Sequence, residues 1–245
     1  MAVICVTQAR MGSSRLPGKV LMDIEGLPLI GAHCARVARS NRIDRHILAI
    51  ADTPEDAPLK TWATASDIHC YEGSELDVLA RFYQAALAAG AVPGDTVVRL
   101  TGDCPLIAPE LIDAVIDAHQ QTNPEGYSYL DLAGFPRGFD TEVFSFELLE
   151  QTASFATGDA AREHVTYAMY TSGTVKLLGV MLGRPEWHQF RLCVDEADDL
   201  ALVRFVASAL GKLWLNASAT DICHLLMSSP DQASMNRHII QKTAH

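Results

Sequence analysis

The chain has 245 residues, 49% of them hydrophobic, and a formal net charge of −11 at pH 7. A chain of this length can bury a large core and fits one domain, or one domain with a small appendage. The acidic balance argues against a nucleic-acid-binding protein, which would normally be basic, but it leaves room for a small, locally positive nucleotide site.

The cysteines and the apolar stretches predict the compartment. The six cysteines are scattered without a C-x-x-C pair, which indicates neither a zinc site nor a disulfide framework and fits a reducing environment. The first apolar run is short and meets Arg10, unlike a secretory leader, and no stretch reaches membrane-spanning length. We therefore expect a soluble cytoplasmic protein with no membrane or nucleic-acid partner.

Strand and helix patterns alternate along most of the chain. Short apolar runs predict strands, and apolar residues at helical spacing predict helices. The predicted strands cover residues 2–6, 45–51, 68–71, 97–100, 175–182 and 190–194. The predicted helices cover residues 29–40, 54–66, 75–89, 109–119 and 196–210. This alternation predicts an α/β fold with a doubly wound, mostly parallel, Rossmann-like sheet that binds ligands at the carboxyl ends of its strands.

The alternation of strand and helix patterns is weaker in two stretches of the chain. Residues 120–142 look irregular and contain turn clusters, although residues 139–144 alternate as a strand would. From residue 211 onward the chain is predicted to form a C-terminal helical tail, with helical pieces at 221–227 and 237–242 and no assigned role. The main domain is therefore expected to span residues 1–210.

The most informative stretch is the loop after the first predicted strand, Q-A-R-M-G-S-S-R-L-P-G-K-V-L at residues 8–21. Glycines let a backbone approach an anion, hydroxyl and amide groups donate hydrogen bonds, and guanidinium groups hold phosphate oxygens. The cationic side chains are Arg10, Arg15 and Lys19. A strand that ends in such a loop indicates a phosphate site.

Neither standard nucleotide loop fits this stretch. Gly12 and Gly18 are separated by five residues, where a Walker loop has four, and Val20 follows Lys19 in place of Ser or Thr. The G-x-G-x-x-G fingerprint of dinucleotide-binding folds is absent as well. A P-loop kinase and a nicotinamide-dependent dehydrogenase are therefore both disfavoured.

Two aspartates, Asp103 and Asp195, follow predicted strands that are far apart in the sequence. On its own, Asp103 after Gly102 more often caps a turn than binds a metal. A carboxylate at a strand end is nevertheless a good ligand for Mg²⁺, which favours one or two carboxylates together with phosphate oxygens and waters. The acids that follow Asp195 suit the first turn of a helix and need no function.

The loop at residues 8–21 resembles the signature loop of SpsF-like cytidylyltransferases of spore-coat polysaccharide type, which are related to acylneuraminate and 3-deoxy-manno-octulosonate cytidylyltransferases. T-G-D-C-P-L at residues 101–106 resembles the family segment whose aspartate holds the metal at the α-phosphate. V-D-E-A-D-D-L at residues 194–200 keeps the first aspartate of the usual V-D-T-P-E-D-L but lacks its Thr-Pro pair. The resemblance covers about residues 1–210 and implies a sheet of nucleotide-diphospho-sugar transferase type.

This resemblance implies an enzyme that moves CMP from CTP to the anomeric hydroxyl of an acidic, 2-keto-3-deoxy type sugar and releases pyrophosphate. Mg²⁺ would be held by Asp103 and Asp195, and these two residues with Arg10 and Lys19 would carry catalysis. The residues expected to contact the nucleotide are Gln8, Ala9, Arg10, Met11, Gly12, Ser13, Arg15, Lys19, Gly73, Ser74, Thr101 and Gly102. The resemblance also implies a homodimer with a small arm at about residues 125–182.

Two further motifs fall on the acceptor side by resemblance. G-x-D-x-E-V-F at residues 138–144 puts Asp140 and Glu142 on one strand face, a pattern that alone indicates a solvated face. R-E-H-V-T at residues 162–166 contributes Arg162 and His164, although a lone histidine on a helix is more often structural. In the family, the second motif lies in the arm that reaches the neighbouring subunit's site.

Two alternatives stay open at this stage. The same machinery would serve a nucleotidyltransferase with another nucleotide or acceptor. A non-catalytic nucleotide-binding protein could also retain the fold, but the loss of Asp103, Asp195 or Lys19 would have indicated it, and all three are present.

Overall fold

A seven-stranded sheet forms the centre of the computed structural model, which describes residues 1–241. The strands in chain order are β1 (Val3–Ala9), β2 (Asp23–Ile24), β3 (Leu27–Pro28), β4 (Arg45–Ala51), β5 (Cys70–Gly73), β6 (Thr96–Thr101), β7 (Tyr127–Asp131), β8 (Glu142–Ser145) and β9 (Leu177–Met181). Strands β2 and β3 pair only with each other, and the others form the main sheet in the order β5-β4-β1-β6-β8-β7-β9.

Helices flank this sheet. They are α1 (Leu29–Val37), α2 (Ala57–Ala65), α3 (Val78–Ala88), α4 (Pro109–Thr122), α5 (Phe146–Phe155), α6 (Asp159–Glu163), α7 (Tyr167–Thr171), α8 (Ala197–Leu210), α9 (Ala219–Met227) and α10 (Pro230–Ala233). Among residues 1–241, no helix has both the length and the apolar character needed to cross a membrane.

The pairing of the strands confirms the predicted doubly wound, mostly parallel sheet. Strand β1 runs parallel to both β4 and β6, and β4 runs parallel to β5. Strand β8 is antiparallel to β6 and β7, and β9 runs parallel to β7. The carboxyl ends of β1, β4 and β6 therefore meet at one edge of the sheet, where ligands of open α/β sheets bind.

Both faces of the sheet are covered. In β1, Val3 and Cys5 belong to the apolar cluster under α4, α8 and α9, whereas Ile4 and Val6 belong to the cluster under α3 and α5. Successive side chains of a strand point to opposite faces, so a strand buried on both sides has to be apolar throughout. For this reason residues 2–6 are apolar at every position instead of alternating between apolar and polar residues.

Most predicted elements are present with shifted ends. Strand β4 spans the predicted residues 45–51, whereas the helix predicted at 75–89 begins only at Val78. The later start is explained by Asp77, the N-cap residue of this helix. Its carboxylate accepts a hydrogen bond from Ala80 N at 2.9 Å, which fixes the first turn three residues after the predicted start.

Strand β7 lies inside the stretch interpreted as irregular, and the prediction missed it. Its residues pair with β8 and β9, and Asn123 Nδ2 donates to Tyr127 O at 3.2 Å and Lys176 O at 3.1 Å at its start. The segment 125–182, predicted as an arm, thus supplies three strands to the main sheet. Its role as an arm toward a second subunit stays a prediction.

The strand predicted at residues 190–194 is wrong. This stretch is extended, but it makes only one isolated bridge, between Arg191 and Arg137. Its backbone bonds go to different partners, because Leu192 N donates to Arg137 O at 2.7 Å while Val194 N donates to Asp103 O at 2.8 Å. No single neighbour provides a ladder, so no strand forms.

The C-terminal tail packs onto the main domain. Trp214 and Ile222 belong to the same buried cluster as Val203 of α8. The helical piece predicted at 221–227 is present as α9. The piece predicted at 237–242 is wrong for residues 237–241, which are not helical, and Lys242 lies outside the described residues.

Candidate active site

The loop after β1 is fastened at both ends. Gly18 N donates to Met11 O at 3.0 Å, and Met11 N donates to Asp56 Oδ1 at 2.6 Å. Gly18 has φ +71°, a left-handed conformation that glycine adopts without steric cost. The loop therefore folds back on itself and places Lys19 beneath the edge of the sheet.

Lys19 joins three segments that are far apart in sequence. It is 8% exposed, and its Nζ donates to Val194 O at 2.6 Å and Asp195 Oδ1 at 2.9 Å, with Asp103 Oδ2 at 3.4 Å. Burial alone would lower the pKa of Lys19, but the two carboxylates outweigh it and raise the pKa. The ammonium is therefore a fixed positive charge at this sheet edge.

Asp195 is surrounded by cations. Besides Lys19, it accepts from Arg15 Nη2 at 2.9 Å and Arg191 Nη2 at 2.5 Å. Burial pushes the pKa of Asp195 up, but the ammonium and the guanidinium groups overcome this effect and lower it. Asp195 is therefore held as a carboxylate.

Backbone bonds bring the strand ends into contact. Val194 N donates to Asp103 O, and Gly102 N donates to Gln8 O at 2.9 Å. A Cβ on Gly102 would lie 2.8 Å from Ile30 Cδ1 and 3.0 Å from Ala9 Cβ. Only glycine fits here, so the approach of the two strand ends depends on it.

The start of α8 replaces the Thr-Pro cap that the family motif has. Glu196 is the N-cap, and Asp199 closes a capping box by accepting from Glu196 N at 3.0 Å. Asp199 Oδ2 also accepts from Asp195 N at 2.9 Å, and Asn236 Nδ2 of the tail donates to Asp199 Oδ1 at 2.7 Å. The altered motif thus keeps the helix start and fixes the backbone of Asp195.

A first cleft of about 360 Å³ runs along the loop. The residues predicted for the nucleotide that line it are Gln8, Ala9, Arg10, Gly12, Ser13, Arg15, Lys19, Thr101 and Gly102. Ser14, at the end of the loop segment whose amides were expected to hold phosphates, lines it too. The prediction did not include four other lining residues, namely Val20, Val78, Arg81 and Glu163.

Three residues predicted for the nucleotide do not line this cleft. Met11 packs against an apolar cluster beside the loop. Gly73 and Ser74 lie behind Arg81, whose Nη1 donates to Ser74 O at 2.7 Å. The turn at Gly73 therefore supports a cleft residue instead of forming the cleft wall.

A second cleft of about 500 Å³ adjoins the first. Asp140, Glu142 and His164, all predicted for the acceptor, line it. The two clefts share Thr101, Asp103, His164 and Asp195. The proposed metal-binding carboxylates thus stand where the clefts meet.

The acids of the second cleft are already hydrogen-bonded. Glu142 pairs with Arg99, accepts from the Tyr127 hydroxyl and accepts from Thr166 Oγ1 at 3.0 Å. Burial raises the pKa of Tyr127 well above its usual range, and the neighbouring Glu142 adds to this effect. The tyrosine therefore stays a neutral donor.

Asp140 has a different environment. It accepts from Gly138 N at 2.6 Å and from Arg137 Nη1 at 3.1 Å. Burial nevertheless raises its pKa. The two acids predicted to share one strand face thus both line a cleft, each with its own arginine.

Arg162 is the predicted acceptor residue that lines neither cleft. It pairs with Asp77 and donates to Ala153 O at 2.9 Å, which ties α6 to the start of α3. Its contact with an acceptor stays a prediction.

Gln241 is a cleft residue without any signal in the sequence. It lines the second cleft, and its side chain accepts from Arg191. The tail therefore contributes to this cleft, although no role was assigned to it.

The donor set at the junction fits a hard cation. No group of three metal-ligating side chains occurs among the described residues, but Asp103 and Asp195 contact the same ammonium. Two carboxylates that converge on one positive charge suit Mg²⁺, which takes its remaining ligands from phosphates and water.

The sheet order is that of a nucleotidyltransferase-like fold, and the cationic loop after β1 and the paired carboxylates lie at one edge of its sheet. The family model for cytidylyltransferases matches residues 4–200. The chain belongs to the cytidylyltransferase family, which confirms the resemblance found in the sequence.

Two curated relatives illustrate the family. The spore coat polysaccharide biosynthesis protein SpsF of Bacillus subtilis (strain 168) is 32% identical over 241 residues, which cover 95% of this chain and 97% of SpsF. The 3-deoxy-manno-octulosonate cytidylyltransferase of Chlorobium phaeobacteroides (strain BS1) is 37% identical over 119 residues, covering 47% of this chain and 44% of that protein.

Solved structures share the fold. A cytidylyltransferase from Leptospira borgpetersenii serovar Hardjo-bovis superposes with a TM-score of 0.87 at 24% identity, covering 99% of this chain and 100% of that one. A CMP:2-keto-3-deoxy-manno-octonic acid synthetase complexed with CTP gives 0.65 at 16% identity, covering 85% and 99%. A Mycobacterium tuberculosis H37Rv protein in complex with manganese gives 0.60 at 19% identity, covering 84% and 100%.

Proposed function

We propose that this protein transfers CMP from CTP to the anomeric hydroxyl of an acidic, 2-keto-3-deoxy type sugar and releases pyrophosphate, for the synthesis of a surface polysaccharide. The observation that carries the proposal is the pair of adjoining clefts that share Asp103 and Asp195. A transferase of this kind has to bring two substrates together at one phosphorus atom, and adjoining clefts with carboxylates at their junction suit that task.

The first cleft is assigned to CTP. Arg10, Arg15 and Lys19 supply positive charge, and the loop amides around Gly12 supply donors for phosphate oxygens. Lys19 is charged and buried, so it is positioned before the substrate arrives. Such fixed charge stabilises the pyrophosphate as it leaves.

Asp103 and Asp195 are assigned to Mg²⁺. When bound, Mg²⁺ supplies positive charge at the α-phosphate and lowers the pKa of the attacking hydroxyl. The carboxylate of Asp195 is secured by Arg15 and Arg191, and its backbone by Asp199. Arg15, Arg191 and Asp199 together therefore hold the Asp195 carboxylate in position for the metal.

The second cleft is assigned to the sugar, with Asp140, Glu142 and His164 as its contacts. The half-exposed guanidinium of Arg137 lies on the wall and suits the carboxylate of an acidic sugar. The partial match to 3-deoxy-manno-octulosonate cytidylyltransferases supports this class of acceptor. A homodimer belongs to the same proposal and is supported by the edge strand β9, which presents Leu177 and Met181 to solvent.

The test is pyrophosphate release from CTP, UTP, ATP and GTP with Mg²⁺ and a panel of neutral and acidic sugars. We expect release only with CTP and a 2-keto-3-deoxy acid, and its loss in Asp103→Asn and Asp195→Asn. Asp198→Asn is the matched control, because Asp198 is exposed in the first turn of α8 beside the site. Release with another nucleotide or a neutral sugar would favour the alternative transferase, and the absence of both release and CTP binding would contradict the proposal.

A further inference from the structure

Arg81 is a buried cation on the wall of the first cleft. It lies on α3 one turn after Val78, and both residues line the cleft. Only 3% of Arg81 is exposed, although an arginine is rarely buried without partners that satisfy its donors. Its guanidinium therefore needs hydrogen-bond acceptors within the protein or in the cleft.

The guanidinium of Arg81 is positioned but not satisfied. Its Nη1 donates to Ser74 O at 2.7 Å, and a Cβ on Gly73 would lie 3.0 Å from Arg81 Cγ, so the side chain is packed against this turn. Its Nε is buried and has no hydrogen-bond partner within residues 1–241. A buried N–H without an acceptor is destabilising, and an acceptor on a ligand would remove this cost.

The charged side chains around Arg81 do not provide the missing hydrogen-bond acceptor. Burial lowers the pKa of Arg81, and Arg10 lowers it further, against the attraction of Asp56 and Glu75. Asp56 is engaged elsewhere, since its oxygens accept from Met11 N at 2.6 Å and from the Thr53 hydroxyl at 2.7 Å. An acceptor on a ligand bound in the cleft would therefore complete the hydrogen bonding of Arg81.

The sheet order places Arg81 away from the metal-binding carboxylates. Helix α3 packs on β5, β4 and β1, whereas Asp103 follows β6 on the far side of β1. A triphosphate held near Lys19 and Asp103 would direct the nucleoside toward α3. In that arrangement the base would be the group that reaches Arg81.

We propose that Arg81 reads the base of the nucleotide and selects cytosine over uracil. The inference rests on the proposed binding of CTP in the first cleft. Cytosine presents two adjacent acceptors, O2 and N3, which match the parallel N–H donors of a guanidinium. Uracil carries a hydrogen on N3, so one donor of Arg81 would face another donor. Val78 supplies an apolar surface beside the ring.

The test measures binding, so that it needs no sugar. CTP and UTP are titrated separately into the wild type, Arg81→Met and Arg81→Lys by calorimetry with Mg²⁺. We expect a CTP preference in the wild type that falls at least tenfold in Arg81→Met, chiefly through weaker CTP binding. Arg81→Lys should also lose the preference, because an ammonium lacks the paired donors.

Arg45→Met is the matched control. Arg45 is an exposed arginine that donates to Ala89 O at 2.8 Å, away from the cleft. It should keep the wild-type ratio of the two dissociation constants. Thermal melting without nucleotide identifies any variant that has lost its fold, and Arg81→Lys serves if Arg81→Met does not fold.

The outcomes separate this inference from the proposed function. A folded Arg81 variant that keeps the wild-type preference for CTP would overturn the role of Arg81 and leave the transferase proposal standing. A wild type that binds neither nucleotide would contradict both proposals. CTP-selective binding that depends on Arg81 would support the inference even if no sugar in the panel released pyrophosphate.

Discussion

Lys19 Nζ lies 2.9 Å from Asp195 Oδ1, although the two residues are 176 positions apart. The same ammonium bonds to Val194 O and pairs with Asp103. One buried side chain thus connects the first loop of the chain, the end of β6 and the start of α8. The candidate active site and the contact between these three segments therefore depend on the same group.

Lys19→Met should therefore affect both stability and activity. The change leaves Val194 O without its donor and removes one of the cations around Asp195, while Arg15 and Arg191 remain. We expect a loss of about 2 kcal/mol in the free energy of unfolding, measured by urea denaturation. The kcat/KM for CTP should fall about a hundredfold. Lys60→Met, which breaks the exposed pair with Glu72, should change neither quantity.

His33 predicts a stability loss in mild acid. It is fully buried between Thr7 Oγ1 at 3.0 Å and Cys104 O at 2.9 Å, and burial lowers its pKa from 6.5 to about 4. The unfolded chain thus takes up a proton first as the pH falls. The free energy of unfolding should drop by about 3 kcal/mol between pH 6.5 and 4 from this group.

The measurement is urea denaturation at several pH values across that window. His33→Gln should make the pH dependence shallower without abolishing it, because burial also lowers the pKa of His46 to about 3 and that of His119 to about 4. The exposed His69→Gln should leave the wild-type slope. Asp195 does not contribute in this window, because its pKa is lowered and its stabilisation is lost only below about 3.8. An equally steep slope in His33→Gln would show that another group is responsible.

Asn236 should act on the site through Asp199. Its side chain donates to Asp199 Oδ1 and to Arg191 O at 3.0 Å, both buried. Asn236→Ala removes one of the two donors to Asp199 Oδ1, the other being Arg191 Nε at 3.0 Å, and also removes the donor to Arg191 O. The loss of these two buried hydrogen bonds should cost about 2 kcal/mol of stability. Because Asp199 fixes Asp195 N, we also expect kcat to fall at saturating CTP while the KM for CTP changes little.

Asn216→Ala is the control for this prediction, since Asn216 is an exposed residue of the same tail. A purely structural role for Asn236 would lower stability alone. An unchanged kcat at a temperature where the variant is fully folded would therefore contradict the positioning role.

Gly102→Ala and Gly12→Ala should separate packing from binding. A Cβ at Gly102 would meet Ile30 Cδ1 at 2.8 Å, so we expect a loss of about 1–3 kcal/mol in stability. At Gly12 the nearest atom would be Glu75 Oε1 at 3.7 Å, which leaves room for a methyl group. Gly12→Ala should fold normally and bind CTP more weakly, as calorimetry can measure. Equal melting temperatures for the two variants would be inconsistent with this reading.

The fold was predictable because its elements are local. Apolar runs such as β4 and helices such as α4 carry their own pattern, and the alternation of the two fixes the sheet type. Strand β7 was missed since it depends on partners, namely β8, β9 and the side chain of Asn123. The strand predicted at 190–194 is wrong for the opposite reason. This run has the local pattern of a strand, but its backbone hydrogen bonds go to two different segments, so it does not join the sheet.

The site was predictable where its residues follow apolar runs. Asp103 follows strand β6, Lys19 lies in the loop after β1 and Asp195 follows the extended run at 190–194, and the structure brings all three together. Arg81 and Gln241 could not be found in this way. Arg81 lies in the first turn of α3, and Gln241 lies in the non-helical stretch after α10, so only the tertiary arrangement puts them on a cleft wall.

The bond between Lys19 and Asp195 also has a consequence for synthesis on the ribosome. A nascent chain that has not yet emerged to residue 195 holds Lys19 with Asp103 alone, without its closest carboxylate and without Val194 O, and burial of an incompletely paired ammonium is disfavoured. Truncated or stalled chains should therefore keep their first loop open and be vulnerable to proteases. Because the candidate active site needs Asp195, fragments that end before this residue would not consume nucleotide.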